Sequence, residues 1–180
     1  EAAKAVGGDF YDYRRLADGR LFFVIGDATG KGIPAALLAG KCLSVLQALS
    51  DECTEPGELL CRVNMLVAGQ FREDGHFVTL FLGIFDPASQ RLCYTRAGHN
   101  PPILVRNGEG MPHVLRDQDG LPLAIRAQAH FETTEIELAQ HDTLLLYTDG
   151  ITEVMDAERR QFGEDRLVRT FLPRCGQPLP

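Results

Sequence analysis

The sequence predicts an α+β domain in which antiparallel β-strands are joined by short turns and the helices are grouped together. Strand-like segments outnumber helix-like ones, and most neighbouring strands are separated by short stretches rich in Asp, Gly, Asn and Pro. The two longest helical patterns follow one another directly, between residues 35 and 71. Neither an internal repeat nor a low-complexity tract is present, so a single domain covering residues 1–180 is expected.

The first element is a predicted β-hairpin. Its strands cover residues 10–15 and 21–25, and the turn between them contains Asp18 and Gly19. An Asp-Gly pair favours a tight connection between antiparallel strands. The second strand is apolar on both faces, so we expect it to lie inside the sheet.

Two helices are predicted next. The first covers residues 35–49 and follows Pro34, a residue that suits a first helical turn. It is apolar on most of its faces, which predicts a buried helix. The second covers residues 58–71, where apolar side chains recur at helical spacing.

A β-meander follows the helices. Strands are predicted at residues 77–85, 91–97 and 103–106, because apolar and β-branched runs alternate there with turn-forming residues. Two shorter extended segments are expected at residues 114–115 and 121–123.

The last part of the chain contains two predicted strands and one helix. The strands cover residues 131–138 and 143–148, and the second of them leads directly into Asp149. The helix covers residues 163–172.

Composition excludes several classes of partner and site. Acidic residues outnumber basic ones, 25 to 18, for a net charge of −7, and no basic block appears, so nucleic acid is not an expected partner. No run approaches the roughly 18 apolar residues of a membrane span, so no direct membrane contact is expected from this segment. The five scattered cysteines lack a Cys-x-x-Cys pair, which argues against a zinc site or disulfide scaffold and favours a cytoplasmic location.

Three aspartates form the candidate site. Asp9 follows two glycines, and Asp27 and Asp149 each end an apolar run next to a small residue. Any one of them could be a turn former or a helix cap. Together they bring three carboxylates to sheet edges, where they would repel one another without a cation between them. Mg²⁺ and Mn²⁺ prefer such oxygen ligands, so the pattern predicts metal-assisted hydrolysis of a phosphate ester.

Two other motifs are near misses. The stretch from Gly26 to Gly32 has only three residues between its first two glycines and lacks Ser or Thr after Lys31, so it does not match a phosphate-binding P-loop. Gly7-Gly8-Asp9-Phe10 is similar to the metal-binding hairpin of diguanylate cyclases, but the expected Glu before Phe10 is missing. A cyclase is therefore kept as the weakest alternative.

Five sequence blocks occur in a fixed order: VGGDFYD (6–12), IGDATGKGIPAA (25–36), AGHNPP (97–102), LYTDGITE (146–153) and FGEDRL (162–167). In this order they resemble the bacterial sporulation- and stress-type (SpoIIE/RsbU-like) branch of the PP2C (PPM) metal-dependent serine/threonine phosphatases. The resemblance covers nearly the whole chain. It implies a PP2C-like sandwich of two antiparallel β-sheets flanked by helices.

The resemblance also implies roles for four residues. Asp27 would bridge two Mn²⁺ or Mg²⁺ ions, the Ala28 backbone carbonyl would bind one of them, and Asp149 would bind the other. Asp9 would bind directly or through water. Asp9, Asp27 and Asp149 are thus the expected catalytic residues, and a water shared by the two ions would attack phosphoserine or phosphothreonine. For His99 we expect a structural hydrogen bond rather than a catalytic role.

Partners follow from the same resemblance. The family's usual substrates are phosphorylated anti-sigma-factor antagonists, and its members are commonly fused to sensory domains. A start at Glu1 without Met therefore predicts a fragment of a longer multidomain protein, and regulation by homodimerisation is one expectation. The chain ends at Pro180 before the family's final strand, which carries a further Asp-Asp pair. This leaves a catalytically weak, partner-binding phosphatase-like module as the main alternative.

Overall fold

The computed structural model describes residues 7–53, 55–71, 75–117 and 120–175. Its contacts divide the chain into two compact units. The first unit contains the residues up to His99 together with Asp117–Glu137, and the second contains Asn100–Arg116 and the residues from Leu138 onward. The single domain expected over residues 1–180 stays a prediction.

The first unit is built on a five-stranded antiparallel sheet. Its strands in chain order are β1 (Asp9–Arg15), β2 (Leu21–Ala28), β3 (Val78–Asp86), β4 (Arg91–Ala97) and β7 (Thr134–Glu137). They lie side by side in the order β1-β2-β3-β4-β7. The predicted hairpin and the first two meander strands are confirmed to within three residues at each end, whereas β7 is shorter than the predicted 131–138.

Helices α1 (Ile33–Leu49) and α2 (Pro56–Phe71) share one apolar core with this sheet. Alternate residues of β2 and β3, among them Phe22 and Leu82, are buried in that core because side chains on a strand alternate between its two faces. The opposite set of alternate positions contains Asp27. The core therefore determines which face of the sheet presents the candidate site residues.

Helix α1 differs from its prediction. It is buried along one side only, through residues such as Leu38 and Cys42. Ile33 is 70% exposed and Leu37 is 63% exposed. The expectation of a helix buried on most faces was therefore wrong, because the sheet and α2 cover only part of its circumference.

The second unit contains a smaller, three-stranded antiparallel sheet. Its strands are β5 (Ile103–Val105), β6 (Pro112–Val114) and β8 (Thr143–Leu145), in the order β6-β5-β8, and its helices are α3 (Asp149–Thr152) and α4 (Glu164–Phe171). A 3-10 turn at Leu172–Arg174 follows α4. The buried apolar cluster of this unit contains Ile103, Tyr147 and Leu167.

Strand β8 ends earlier than predicted. Its last paired residue is Leu145, opposite Ile103, so the strand stops four residues before Asp149. The next position opposite the strand belongs to Pro102, which has no amide hydrogen to donate to a ladder. The expectation that a strand delivers Asp149 directly was therefore wrong, and a short connecting segment precedes it.

The two antiparallel sheets and their helices confirm the predicted α+β class. Within the described residues, no helix combines the length and the apolar character needed to cross a bilayer.

Candidate metal centre

Asp9 and Asp27 are direct neighbours across the β1–β2 ladder. Directly opposite residues of an antiparallel pair place their side chains on the same face of the sheet, with Cβ atoms about 5 Å apart. One carboxylate oxygen of Asp9 lies within 4.8 Å of one of Asp27. Two residues that are 18 positions apart in sequence are thus brought together by strand register alone.

The Ala28 carbonyl oxygen belongs to the same cluster of oxygens. The Ala28 amide donates to the carbonyl oxygen of Gly8 at 3.1 Å, which fastens the end of β2 to the residue before β1. A Cβ atom built on Gly8 would lie 2.8 Å from Asp27 Oδ1 and in closer contact still with the Ala28 carbonyl oxygen. Only glycine at position 8 allows these two oxygens to come this close to the backbone.

These residues fit a hard divalent cation. The donors are two carboxylates and one backbone carbonyl, which are the oxygen ligands that Mg²⁺ and Mn²⁺ prefer. Carboxylates this close to one another repel, and a cation removes that repulsion. The Ala28 carbonyl oxygen and Asp27 Oδ1 both approach Gly8 closely, which gathers these two donors in one place.

Strand β3 extends the polar row begun by the two aspartates. Thr79 lies directly opposite Asp27, so Asp9, Asp27 and Thr79 occupy one line across three strands on one face of the sheet. The Thr79 hydroxyl forms a hydrogen bond of 3.0 Å with Nδ1 of His99, which is only 4% exposed. The expected structural hydrogen bond of His99 is confirmed.

Asp149 lies in the second unit, as the first residue of α3. It is exposed, and its carbonyl oxygen accepts the Glu153 amide at 2.8 Å and the Thr152 hydroxyl at 3.2 Å. The hydrogen bond from the Gly163 amide to the Thr152 carbonyl, at 2.9 Å, ties this short helix to the residue just before α4. The position of Asp149 therefore depends on a loop and a four-residue helix rather than on strand register.

Tyr147 anchors the segment that leads to Asp149. Its hydroxyl donates to Glu164 Oε1 at 2.9 Å, and the residue is 7% exposed. Burial, followed by the bond to the Glu164 carboxylate, raises the pKa of Tyr147 to about 12. This contact holds the segment before Asp149 against the start of α4.

Sequence reasoning missed two contributors to the centre. Thr79 is the single hydroxyl in the apolar run of β3, and that interruption was its only sequence signature. Gly8 lets the end of β2 approach closely, because a Cβ there would collide with the Ala28 carbonyl oxygen and lie 2.8 Å from Asp27 Oδ1.

With this geometry established, comparison with known proteins decides the family. The sequence profile described as Stage II sporulation protein E (SpoIIE) matches residues 17–179. The chain belongs to the SpoIIE family. The match confirms the resemblance to the SpoIIE/RsbU-like branch of PP2C phosphatases. The matched region begins at residue 17 and does not include Asp9. The assignment of Asp9 to the candidate site therefore depends on its pairing with Asp27 in the β1–β2 ladder.

Two curated relatives are similar over most of this chain. Protein IcfG of Synechocystis sp. is 30% identical over 95% of the chain, which corresponds to 31% of IcfG. Phosphoserine phosphatase RsbU of Bacillus subtilis is 27% identical over 84% of the chain, which corresponds to 44% of RsbU. The chain thus spans less than half the length of these relatives.

A solved structure supports the fold. The SiaA-PP2C domain of Pseudomonas aeruginosa matches with a TM-score of 0.83 at 22% identity, covering 97% of this chain and 69% of that one. The fold is therefore PP2C-like, as the sequence predicts.

Proposed function

We propose that this SpoIIE-family domain is a metal-dependent protein serine/threonine phosphatase. The observation that supports this most directly is the register pair of Asp9 and Asp27, with the Ala28 carbonyl oxygen packed beside Asp27 Oδ1 at Gly8. The two carboxylates and the carbonyl oxygen are hard oxygen ligands of the kind that Mg²⁺ and Mn²⁺ prefer. The similarity to RsbU, which is named a phosphoserine phosphatase, supports the choice of reaction.

In this proposal four residues hold two Mn²⁺ or Mg²⁺ ions. Asp27 would bind both ions, the Ala28 carbonyl oxygen would bind one, Asp149 would bind the other, and Asp9 would bind directly or through water. When bound, two such ions lower the pKa of water and neutralise charge on a phosphoryl group. Asp9 and Asp27, fixed by the β1–β2 ladder, keep the donor oxygens at a constant spacing while the substrate changes.

The substrate in this proposal is a phosphorylated serine or threonine on a small protein, namely an anti-sigma-factor antagonist. RsbU is named a phosphoserine phosphatase, which supports phosphoserine as the group that is hydrolysed. The domain would act as part of a longer multidomain protein. Its five cysteines are all free thiols, which fits the reducing cytoplasm as the place of reaction.

We include homodimerisation in the proposal. Helices α1 and α2 expose Ile33, Leu37, Met65 and Leu66, each more than half accessible. Apolar side chains at an exposed helix pair are typical of an interface. Sedimentation of the Leu37→Glu variant tests this point, since a dimer held by this surface would dissociate and a monomer would not change.

The decisive experiment is phosphate release from a phosphoserine protein with and without Mn²⁺. Asp27→Asn keeps the size of the side chain but removes its charge, and we expect it to lower the rate at least 100-fold, in line with the loss of a metal ligand. Asp12→Asn is the matched control, because Asp12 lies on the neighbouring strand β1 and its carboxylate accepts a hydrogen bond from the Gln47 amide at 2.7 Å. It should retain the rate.

The outcomes separate the alternatives. Metal-dependent release that Asp27→Asn abolishes supports the phosphatase. Phosphoprotein binding without release, with and without Mn²⁺, would favour a partner-binding module. Conversion of GTP would favour a diguanylate cyclase.

A further inference from the structure

The backbone that follows β2 is held by several hydrogen bonds to the residues just before β3. Thr29 comes directly after β2, and its amide donates to the carbonyl oxygen of Phe77 at 2.9 Å. We propose that Thr29 and His76 are positioning residues that hold the Ala28 carbonyl oxygen in its metal-binding orientation. This inference rests on the proposed role of that oxygen as a metal ligand.

One planar peptide joins Ala28 to Thr29. It contains the Ala28 carbonyl and the Thr29 amide, and because the peptide is trans these two groups point in opposite directions. The amide points toward Phe77, so the carbonyl oxygen points away from β3 and toward β1. There it lies against Gly8, where an added Cβ would collide with it and lie 2.8 Å from Asp27 Oδ1. Whatever fixes the Thr29 amide therefore also fixes the direction of the Ala28 carbonyl.

The Thr29 hydroxyl adds two hydrogen bonds between the same two residues. Its oxygen accepts from the Phe77 amide at 2.9 Å, and its hydrogen is donated to the Phe77 carbonyl oxygen at 3.1 Å. Phe77 thus accepts from both the amide and the hydroxyl of Thr29 and donates its own amide hydrogen in return. Three hydrogen bonds between two residues restrict rotation of the Ala28–Thr29 peptide more than a single bond would.

His76 holds the other side of Thr29. Its Nδ1 lies 3.2 Å from the Thr29 carbonyl oxygen, and because a carbonyl oxygen only accepts, His76 must carry a hydrogen on Nδ1. The ring also lies close to Gly30, where an added Cβ would be 3.3 Å from His76 Cε1. His76 thus fixes the peptide that follows Thr29, while Phe77 fixes the peptide that precedes it.

The effect expected is on metal affinity. Hydrogen-bond partners that orient a metal ligand typically change metal binding about 10- to 100-fold when they are removed. Thr29→Val removes the hydroxyl and keeps a β-branched side chain of similar shape. His76→Leu removes the Nδ1 donor. Neither substitution changes a proposed metal ligand.

Conservative variants separate positioning from general damage. Thr29→Ser keeps the hydroxyl, and His76→Asn supplies an amide donor in place of Nδ1–H. Thr133→Val is the matched control, because the Thr133 hydroxyl is also partly buried and also accepts a backbone amide, that of Gly57, at 3.0 Å. Thr133 belongs to the same compact unit but makes no contact of this kind with Thr29 or Phe77 among the described residues.

The test is calorimetric titration of the whole chain with Mn²⁺ alone. We expect Thr29→Val and His76→Leu to weaken Mn²⁺ binding by at least about tenfold. Thr29→Ser, His76→Asn and Thr133→Val should stay within about threefold of the unsubstituted chain, because each keeps the hydrogen bonds around the Ala28–Thr29 peptide. Equal affinity in Thr29→Val and the unsubstituted chain would overturn the inference and leave the proposed function intact. No Mn²⁺ binding by the unsubstituted chain would contradict both.

A second measurement does not need the metal. Hydrogen exchange of the Thr29 amide in the metal-free protein reports on the same peptide that carries the Ala28 carbonyl. We expect this amide to exchange at least about tenfold faster in His76→Leu, because the segment around it opens more readily. Amides within the β3–β4 ladder are the internal control, since a general loss of stability would speed their exchange as well. Unchanged exchange of the Thr29 amide would overturn the role of His76.

Discussion

The two compact units of this chain position their aspartates in different ways. In the first, Asp9 and Asp27 are fixed by a ladder of seven residue pairs within a five-stranded sheet. In the second, Asp149 follows a strand of only three residues and begins a helix of four. The first arrangement derives its precision from backbone register, whereas the second derives it from individual polar contacts.

The apolar cores of the two units also differ in size. The apolar cluster of the first unit joins β2 and β3 to both long helices, whereas the cluster of the second contains Ile103, Tyr147 and Leu167 as its buried members. The second unit adds charged contacts, above all around Asp142, which accepts hydrogen bonds from Arg106, Asn107 and Ala139. The two units would therefore respond to different kinds of substitution.

The largest expected difference is between two matched core substitutions. Ile84 on β3 is 2% exposed and Ile103 on β5 is fully buried. We expect Ile84→Ala to lower the free energy of unfolding by about 4 kcal/mol and Ile103→Ala by about 2 kcal/mol, because a cavity in a small cluster collapses more readily. Denaturant titration measures both. Equal losses would mean that the two cores are equally rigid, and the comparison would fail.

The second prediction concerns the register-fixed aspartates. Gly8→Ala introduces a methyl group against Asp27 Oδ1 and the Ala28 carbonyl oxygen, and we expect a loss of about 1–3 kcal/mol from overpacking together with loss of Mn²⁺ binding. Gly7→Ala is the control, since the nearest atom to its added methyl is 3.8 Å away. Thermal unfolding and Mn²⁺ titration check both. Retained Mn²⁺ affinity in Gly8→Ala would contradict the proposed placement of the ion.

The third prediction tests the charged contacts of the second unit. The Asp142 carboxylate is 2% exposed and lies 2.7 Å from Arg106. Asp142→Asn should cost about 2 kcal/mol of unfolding free energy, because it leaves the partly buried guanidinium without its counter-charge. Glu158→Gln, in an exposed pair with Arg160, should change it by less than about 0.5 kcal/mol. Similar losses in both variants would contradict a special role for Asp142.

The Asp142 carboxylate also makes the stability of the folded protein depend on pH. Burial raises the pKa of Asp142, but the amides of Asn107 and Ala139 and the Arg106 guanidinium together outweigh burial and lower it below 3.8. The folded protein therefore keeps this charge more readily than the unfolded chain. Its contribution is present above pH about 4 and is lost as the pH falls through the lowered pKa. Acid unfolding followed by circular dichroism should show a shallower loss of stability in Asp142→Asn.

The smallest expected effect concerns Tyr147. Tyr147→Phe removes the hydrogen bond to Glu164 and should cost about 1 kcal/mol, whereas Tyr13→Phe, at a side chain that is 71% exposed, should cost nothing measurable. The pKa of Tyr147 is raised to about 12, so its stabilisation is present below pH about 10 and is lost as the pH rises toward 12. A Tyr147→Phe variant as stable as the unsubstituted chain would show that this contact does not hold the segment before Asp149.

The sequence predicted an element well where local residues alone specify it. The hairpin from β1 to β2 is marked by Asp18-Gly19 between two strand-like runs, and both are local properties. Strand β8 was predicted to be too long because its pattern is apolar through Leu146, while its length depends on β5, whose first residue, Ile103, follows Pro102. Helix α1 was predicted to be buried on most faces, but it is buried along one side. The apolar pattern of a helix does not specify how many other elements pack around it.

For the candidate site, the sequence likewise predicted the residues but not their pairing. Glycine and aspartate at the ends of apolar runs point to Asp9, Asp27 and Asp149 by residue type alone. The direct pairing of Asp9 with Asp27, and of Asp27 with Thr79, depends on register across strands that are up to 52 residues apart. Only assembly of the sheet establishes that register.

By itself, the sequence determined the α+β class, the family blocks and the three aspartates, because residue type and short-range periodicity specify local structure. The tertiary structure alone decided that the Ala28 carbonyl oxygen and Asp27 approach Gly8 closely and that His99 forms a hydrogen bond with Thr79. These relations are distances between atoms far apart in the chain. They are fixed by strand register and by the close packing of one apolar core, which no local pattern encodes.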